Sequence, residues 1–278
     1  MAMIEHDWLE QIEKSELCTN CGAEIDTQFC GQCGQKKLTH RLRFGELIGE
    51  LFSRIFNHER GLFFTLGQLL VAPGSVIRNY VSGKQKPYVS PLTIFFIGAT
   101  AVLLSIWYYE PFLRESMNLQ MQSSASAEDL ARLEKAFDGR PAEVLADSYL
   151  NAMQQGYTYL ALLTFCLPLA VFLWLSQRLT GLRFQLAETL VFSLYVTGMV
   201  LLITATCGML TIRMGGGWHI GMALTVYSGY PLWAQRGFFK SGWFPGLLTL
   251  LSTWASIALF FLSIIAVFAA AVFVKLLW

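Results

Sequence analysis

The sequence predicts an all-α integral membrane protein, a bundle of about five transmembrane helices behind a small cysteine-rich module near the N-terminus. Three observations carry that expectation. Of 278 residues, 54% are hydrophobic and only 14% charged, well below the ~25% charge of soluble domains. Several uncharged apolar runs come close to or exceed the ~20 residues a helix needs to cross a bilayer. The charges are also segregated. Residues 1–33 hold seven acids against Lys14, residues 34–90 hold nine bases against three acids, and after Asp147 six bases face Glu188 alone. The total of +1 conceals three different regions.

Residues 1–17 place Ile4, Trp8 and Ile12 at helical spacing, an N-terminal amphipathic helix. This acidic stretch has no apolar core of the kind a secretory signal carries.

Residues 18–37 carry the strongest chemical signal: Cys18-Thr19-Asn20-Cys21-Gly22, then Cys30-Gly31-Gln32-Cys33-Gly34. Each C-x-x-C sets two sulfurs about one turn apart, and the following Gly supplies the left-handed conformation that folds the turn back. Two such knuckles make a closed four-sulfur site, which suits one structural Zn2+ ion. The spacing of eight residues between Cys21 and Cys30 is short for a zinc ribbon, yet it admits a tight hairpin. Phe29 is placed to cover the metal, and Lys36 and Lys37 to offset the −2 charge of zinc with four thiolates. The competing reading is disulfides or a redox dithiol. A cytosolic location argues against stable disulfides, and no βαβ pattern surrounds either C-x-x-C. Cys166 and Cys207 fall within spans and read as core residues.

Residues 38–90 read as interfacial amphipathic helices and a basic loop. Phe44 to Phe56 places seven apolar residues on one stripe, but thirteen residues are too few to span, so the helix lies on the membrane or under the bundle. Gly61 to Ala72 suits an interfacial or re-entrant segment. Pro73-Gly74 ends it, and a further helix from Ser75 to Val81 closes at Gly83. Arg78, Lys84 and Lys86 then precede the first span, where they are suited to the headgroups of membrane lipids, anionic ones above all.

Residues 91–278 hold the membrane bundle, with spans at 91–109, 157–176, 186–212, 218–235 and 246–274; the fourth, with Pro231 near its end, is the weakest. Residues 111–156 form a helical cap outside, with Ser126 capping a helix whose first turn is acidic. Lysine and arginine concentrate before the first span and in loops 177–185 and 236–245, which sets the N-terminus in the cytosol. Glu188 is the only acid within a predicted span and hence a polar intramembrane candidate. It lies within one turn of the cytosolic end, which favours a wetted position. Arg213 and His219 flank the third external turn.

No catalytic residues emerge: the chain has no H-E-x-x-H, G-x-S-x-G, Walker loop or G-x-G-x-x-G. Nucleic-acid binding is disfavoured, because the ribbon is acidic and the neighbouring bases are interleaved with a membrane-seeking helix.

The cysteine pattern and the run APGSVIRNYVSGKQKPYVSP together resemble a bacterial family of zinc-ribbon membrane proteins known only as a domain of unknown function. The matching positions are Pro73, Gly74, Ile77, Tyr80, Gly83, Lys84, Lys86, Tyr88 and Pro91. Family members often place Arg after the Gly-Lys pair, where this chain has Gln85. The stretch LAETLVFSLY at 186–195 is also similar to the family's third-span region. The resemblance implies a multi-pass protein of the bacterial inner membrane and supplies no activity. The function expected is a non-enzymatic scaffold or accessory subunit whose ribbon docks a cytosolic protein partner. The alternatives are a small transporter or lipid-handling protein, for which Glu188, Thr204 and Thr206 would line a polar path, and then a membrane-embedded enzyme.

Overall fold

The computed structural model describes residues 17–37, 61–124, 158–181, 184–211, 216–239 and 243–277. Among these it is all-helical, with seven helices: α1 Leu62–Val71, α2 Pro73–Val81, α3 Pro91–Ser124, α4 Thr158–Leu179, α5 Leu186–Thr211, α6 Gly216–Phe239 and α7 Trp243–Leu277. The N-terminal helix, the 44–56 helix, the cap helices beyond Ser124 and Arg213 lie outside the described residues.

Proline sets the first boundary. Pro73 lacks the amide that would extend α1, and its fixed φ suits the first position of α2, where it sits. Gly83, at φ 91°, turns the chain after α2. The first long helix runs further than the sequence suggested. α3 passes Pro111 and continues to Ser124, so residues 111–124, expected in the external cap, are continuous with the first span's helix.

Among the described residues, three stretches are long and apolar enough to cross a membrane: Pro91–Pro111, Leu186–Leu210 and Trp243–Phe260. The expected spans at 157–176 and 218–235 exist as helices α4 and α6. In α4 the apolar part among the described residues is the shorter Phe165–Leu179.

α5 is the centre of the bundle. Of its spanning stretch 72% is buried, against 28% for those of α3 and α7. Small residues let the helices meet closely, the usual device where no hydrophobic force drives helices together in lipid. A Cβ on Gly98 of α3 would lie 2.1 Å from the Gly198 carbonyl oxygen of α5. Gly74 of α2 is pressed just as hard on α6, where a Cβ would lie 2.4 Å from the Ala234 oxygen and from Gly237 Cα.

Hydrogen bonds then fix the relative heights of the elements. The Tyr195 hydroxyl donates to the Val89 carbonyl at 2.5 Å, and Ser193 donates to the Cys166 carbonyl at 2.7 Å. Tyr80 and Tyr195 pack edge to face at 5.6 Å, and Phe184, Phe192, Phe238 and Phe239 form one aromatic cluster. Within residues 73–81, expected among the interfacial helices, Val76, Ile77, Tyr80 and Val81 are core residues. A helix lying on the membrane keeps a polar face in water, whereas most of α2 is enclosed by protein.

Candidate metal centre

Residues 17–37 fold as two copies of one turn. Cys18 N–H donates to the Ala23 carbonyl and Gly22 N–H to the Cys18 carbonyl; twelve positions on, Cys30 N–H donates to Gln35 and Gly34 N–H to Cys30. Antiparallel bridges close each turn, Leu17 with Glu24 and Phe29 with Lys36. Gly22 and Gly34 sit at φ 76° and 69°, where a side chain would strain the backbone.

These turns bring the four cysteine sulfurs within 4.8 Å of one another. Cys18 and Cys33 Sγ are 3.5 Å apart, and Cys21 and Cys30 Sγ 3.6 Å. A tetrahedral ion with ~2.3 Å metal–sulfur bonds needs sulfurs about 3.8 Å apart, so the cluster fits one metal ion. All four cysteines are free thiols, and the separations far exceed the ~2.05 Å of a disulfide.

The electrostatics favour thiolates unevenly. Desolvation opposes ionisation of Cys33, yet hydrogen bonds from the Asn20 side chain and the Gln35 amide, with its thiol neighbours, bring it down to about 6. The amides of Cys33 and Gln32 lower Cys30. At Cys21 the Ala23 amide lowers the pKa, but desolvation and the other three cysteines outweigh it and push the thiol up to about 12. Four sulfurs this close hold their last proton until a cation replaces it.

One expectation about the surroundings is corrected. Phe29 does not cover the site; it is exposed, and Ile25 packs with Cys18 and Cys30 in the small core. Neighbours in extended backbone face opposite ways, so burying Cys30 turns Phe29 outward. Lys86 joins Lys36 and Lys37 among the bases near the module. Lys37 Nζ donates to the Ile25 carbonyl at 3.3 Å. Lys86 Nζ, from the loop after α2, lies 3.5 Å from where a Cβ on Gly34 would stand.

That loop is the seat of the ribbon. Thr19 Oγ1 donates to the Gly83 carbonyl at 3.2 Å, and the Lys86 amide donates to Gln35 Oε1 at 2.9 Å. Gln35 and Gln85 are both buried there. Thr19 and Gln35 escaped the sequence reading, since nothing in their spacing announces a partner fifty or more residues away.

The other sequence candidates disperse. Lys86 is exposed and Lys84 half-buried at the seat, whereas the Arg78 guanidinium turns inward and donates to the Phe238 carbonyl. Glu188 is 1% exposed, so the wetted position expected for it is not what the fold provides. Its Oε2 accepts the Gln185 amide at 2.9 Å, the back-reaching half of a capping box at the start of α5. Thr204 and Thr206 return their hydroxyls to the Val200 and Leu202 carbonyls of their own helix. The structure does not bring them together with Glu188, about 24 Å away along α5.

Residues 59–103 match the model of a family described as "Protein of unknown function (DUF3667)". No curated protein and no solved structure matches the chain. The matched stretch contains α1, α2, the 82–90 loop and the first half of the α3 span, and it starts after the cysteines. A stretch of the chain is thus similar to a family of unknown function, which fits the resemblance drawn from its proline–glycine and glycine–lysine motifs, and that stretch is the seat on which the four-cysteine module rests.

Proposed function

We propose that the protein is a non-enzymatic scaffold or accessory subunit of the bacterial inner membrane. In this reading its cysteine module holds one structural zinc ion and presents a fixed docking face to a cytosolic protein. The observation that carries it is the seating of a closed four-sulfur site on the bundle through Thr19–Gly83 and Gln35–Lys86. Four cysteine ligands leave the metal no open position for substrate or water, so its chemistry is structural. A ribbon of about twenty residues has no core able to hold it folded, and the metal supplies that ordering. Leu17 and Phe29, exposed on the seated module, offer apolar anchors of the kind protein interfaces use. The basic residues before α3 favour a cytosolic position for the module. The hydroxyls of Thr204 and Thr206, spent on carbonyls of their own helix, favour this reading over transport.

The test is purification from native membranes in mild detergent, with wild type and Cys21→Ser side by side. A stoichiometric soluble protein should accompany the zinc-loaded wild type and be lost from the variant. Identical companions for both would count against the docking role.

A further inference from the structure

We propose that α1 and α2 form a re-entrant hairpin. It enters the bilayer from the ribbon side, turns within the membrane at Ala72-Pro73 and lays Phe63, Phe64, Leu70 and Val71 against lipid acyl chains. The claim concerns the membrane face of the family domain and does not depend on what the ribbon docks.

Depth is read from contacts with the long helices. At the mouth, the Val89 amide donates to Thr65 Oγ1 at 3.0 Å, and Val89 lies two residues before the span that begins at Pro91. Further along α1, the Tyr230 hydroxyl of α6 donates to the Leu69 carbonyl at 3.0 Å. α2 then climbs back along α6, with Gly74 against Ala234 and Gly237 and Arg78 on the Phe238 carbonyl. Phe238 stacks on Phe192 near the start of α5. Tyr230 lies eight residues earlier in α6, roughly 12 Å deeper. The deepest contact of the hairpin is therefore Leu69 with Tyr230, and by Gly74 the chain is already level with Gly237. The ten residues of α1 cover about 15 Å, half of a ~30 Å hydrocarbon core.

The chemistry agrees with that depth. Residues 61–77 contain no charge and lie in sequence between Arg60 and Arg78. Non-helical backbone is tolerated inside a membrane only where its polar groups are paired. At the tip Ala72 N–H donates to Gln68, Ser75 and Val76 N–H donate to Ala72, Pro73 has no N–H, and Tyr230 takes the Leu69 carbonyl. The exposed face of α1 is the apolar one: Phe63 is 84% exposed and Val71 72%, with Gln68 its one large polar side chain and that uncharged. A helix lying on the surface would turn a charged face to water; here the inward side of α1 is already filled by bundle. What remains outside suits only hydrocarbon.

The test places a ketone-reactive spin label on p-acetylphenylalanine at position 63, 67 or 71, which leaves the cysteines untouched. The full-length, metal-loaded protein is reconstituted in bilayers and its collision rates with oxygen and with a water-soluble nickel chelate are measured. Immersion should increase from 63 through 67 to 71, by roughly 12 Å in total, with oxygen access high throughout. Equal shallow depth at the three positions would show a surface-lying helix and overturn the proposal. So would nickel access at 71, or exclusion of both reagents, which would mean that protein, residues 44–56 included, covers this face.

Discussion

Gly98 and Gly198 meet backbone against backbone. A Cβ on Gly98 would stand 2.1 Å from the Gly198 oxygen, and a Cβ on Gly198 would stand 2.7 Å from the Ile94 carbonyl. No rotamer relieves an overlap between main chains, so the two helices must separate if either glycine is replaced.

Gly98→Ala should therefore destabilise the solubilised protein by about 1–3 kcal/mol, the usual cost of overpacking. Gly221→Ala, where nothing lies within 4 Å of the new carbon, should be neutral or slightly stabilising. Thermal aggregation midpoints in detergent compare the two. Equal midpoints would mean that α3 and α5 do not meet at this crossing.

Elemental analysis should find one zinc per chain, and Cys21→Ser should abolish it while the bundle stays inserted. The metal core, built on Cys18, Ile25 and Cys30, is separate from the bundle core. Iron in stoichiometric amount would identify a different centre.

Acid should release the metal. With the Cys21 thiol held up at about 12 and Cys33 lowered to about 6, the metal displaces a proton from Cys21 at neutral pH and meets Cys33 already ionised. Protons compete more strongly as pH falls, so affinity declines, and more steeply below about 6, where Cys33 also takes up a proton. Competition with a chelator of known affinity between pH 8 and 5 measures the slope. A flat profile would exclude thiolate ligation.

Gln35→Ala should leave the metal bound but free the loop. It removes the acceptor of the Lys86 amide, worth about 1 kcal/mol. Hydrogen exchange at Lys86 should accelerate severalfold, with exchange at Tyr195 unchanged. Unchanged protection at Lys86 would mean that Gln35 does not seat the ribbon.

Topology reporters test the course of the chain. A fusion after Met1 should read cytosolic and one near Ser124 external, and a C-terminal fusion should read external for five spans or cytosolic for four. An external N-terminus would reverse the orientation argument.

Local patterns were legible in the sequence, and pairings across distance were not. The cysteine spacing named all four sulfurs of the site, and apolar runs located the helices at 91 and 186. The glycine and proline punctuation gave the break at Ala72-Pro73 and the turn at Gly83. Glu188 looked like an isolated charge because its role depends on the amide of Gln185, which only the helix start reveals. The run of uncharged residues ends at Tyr109, whereas the helix continues past Pro111, since proline in a long helix removes one hydrogen bond without stopping the turns on either side. The seat of the ribbon was hidden for a different reason. Thr19 and Gln35 are ordinary polar residues until folding brings Gly83 and Lys86 beneath them.

The two bonds of that seat make metal occupancy and bundle assembly reciprocal quantities. If they contribute about 2 kcal/mol together, a ribbon resting on its seat binds metal about thirty-fold more tightly than the same ribbon alone. By the same linkage, a filled ribbon steadies the approach to the first span by that factor. A chain newly inserted in the membrane would then hold metal loosely until α2 and the 82–90 loop reach their places. Scarcity of metal would be felt first by incompletely assembled molecules, and those already folded would keep theirs.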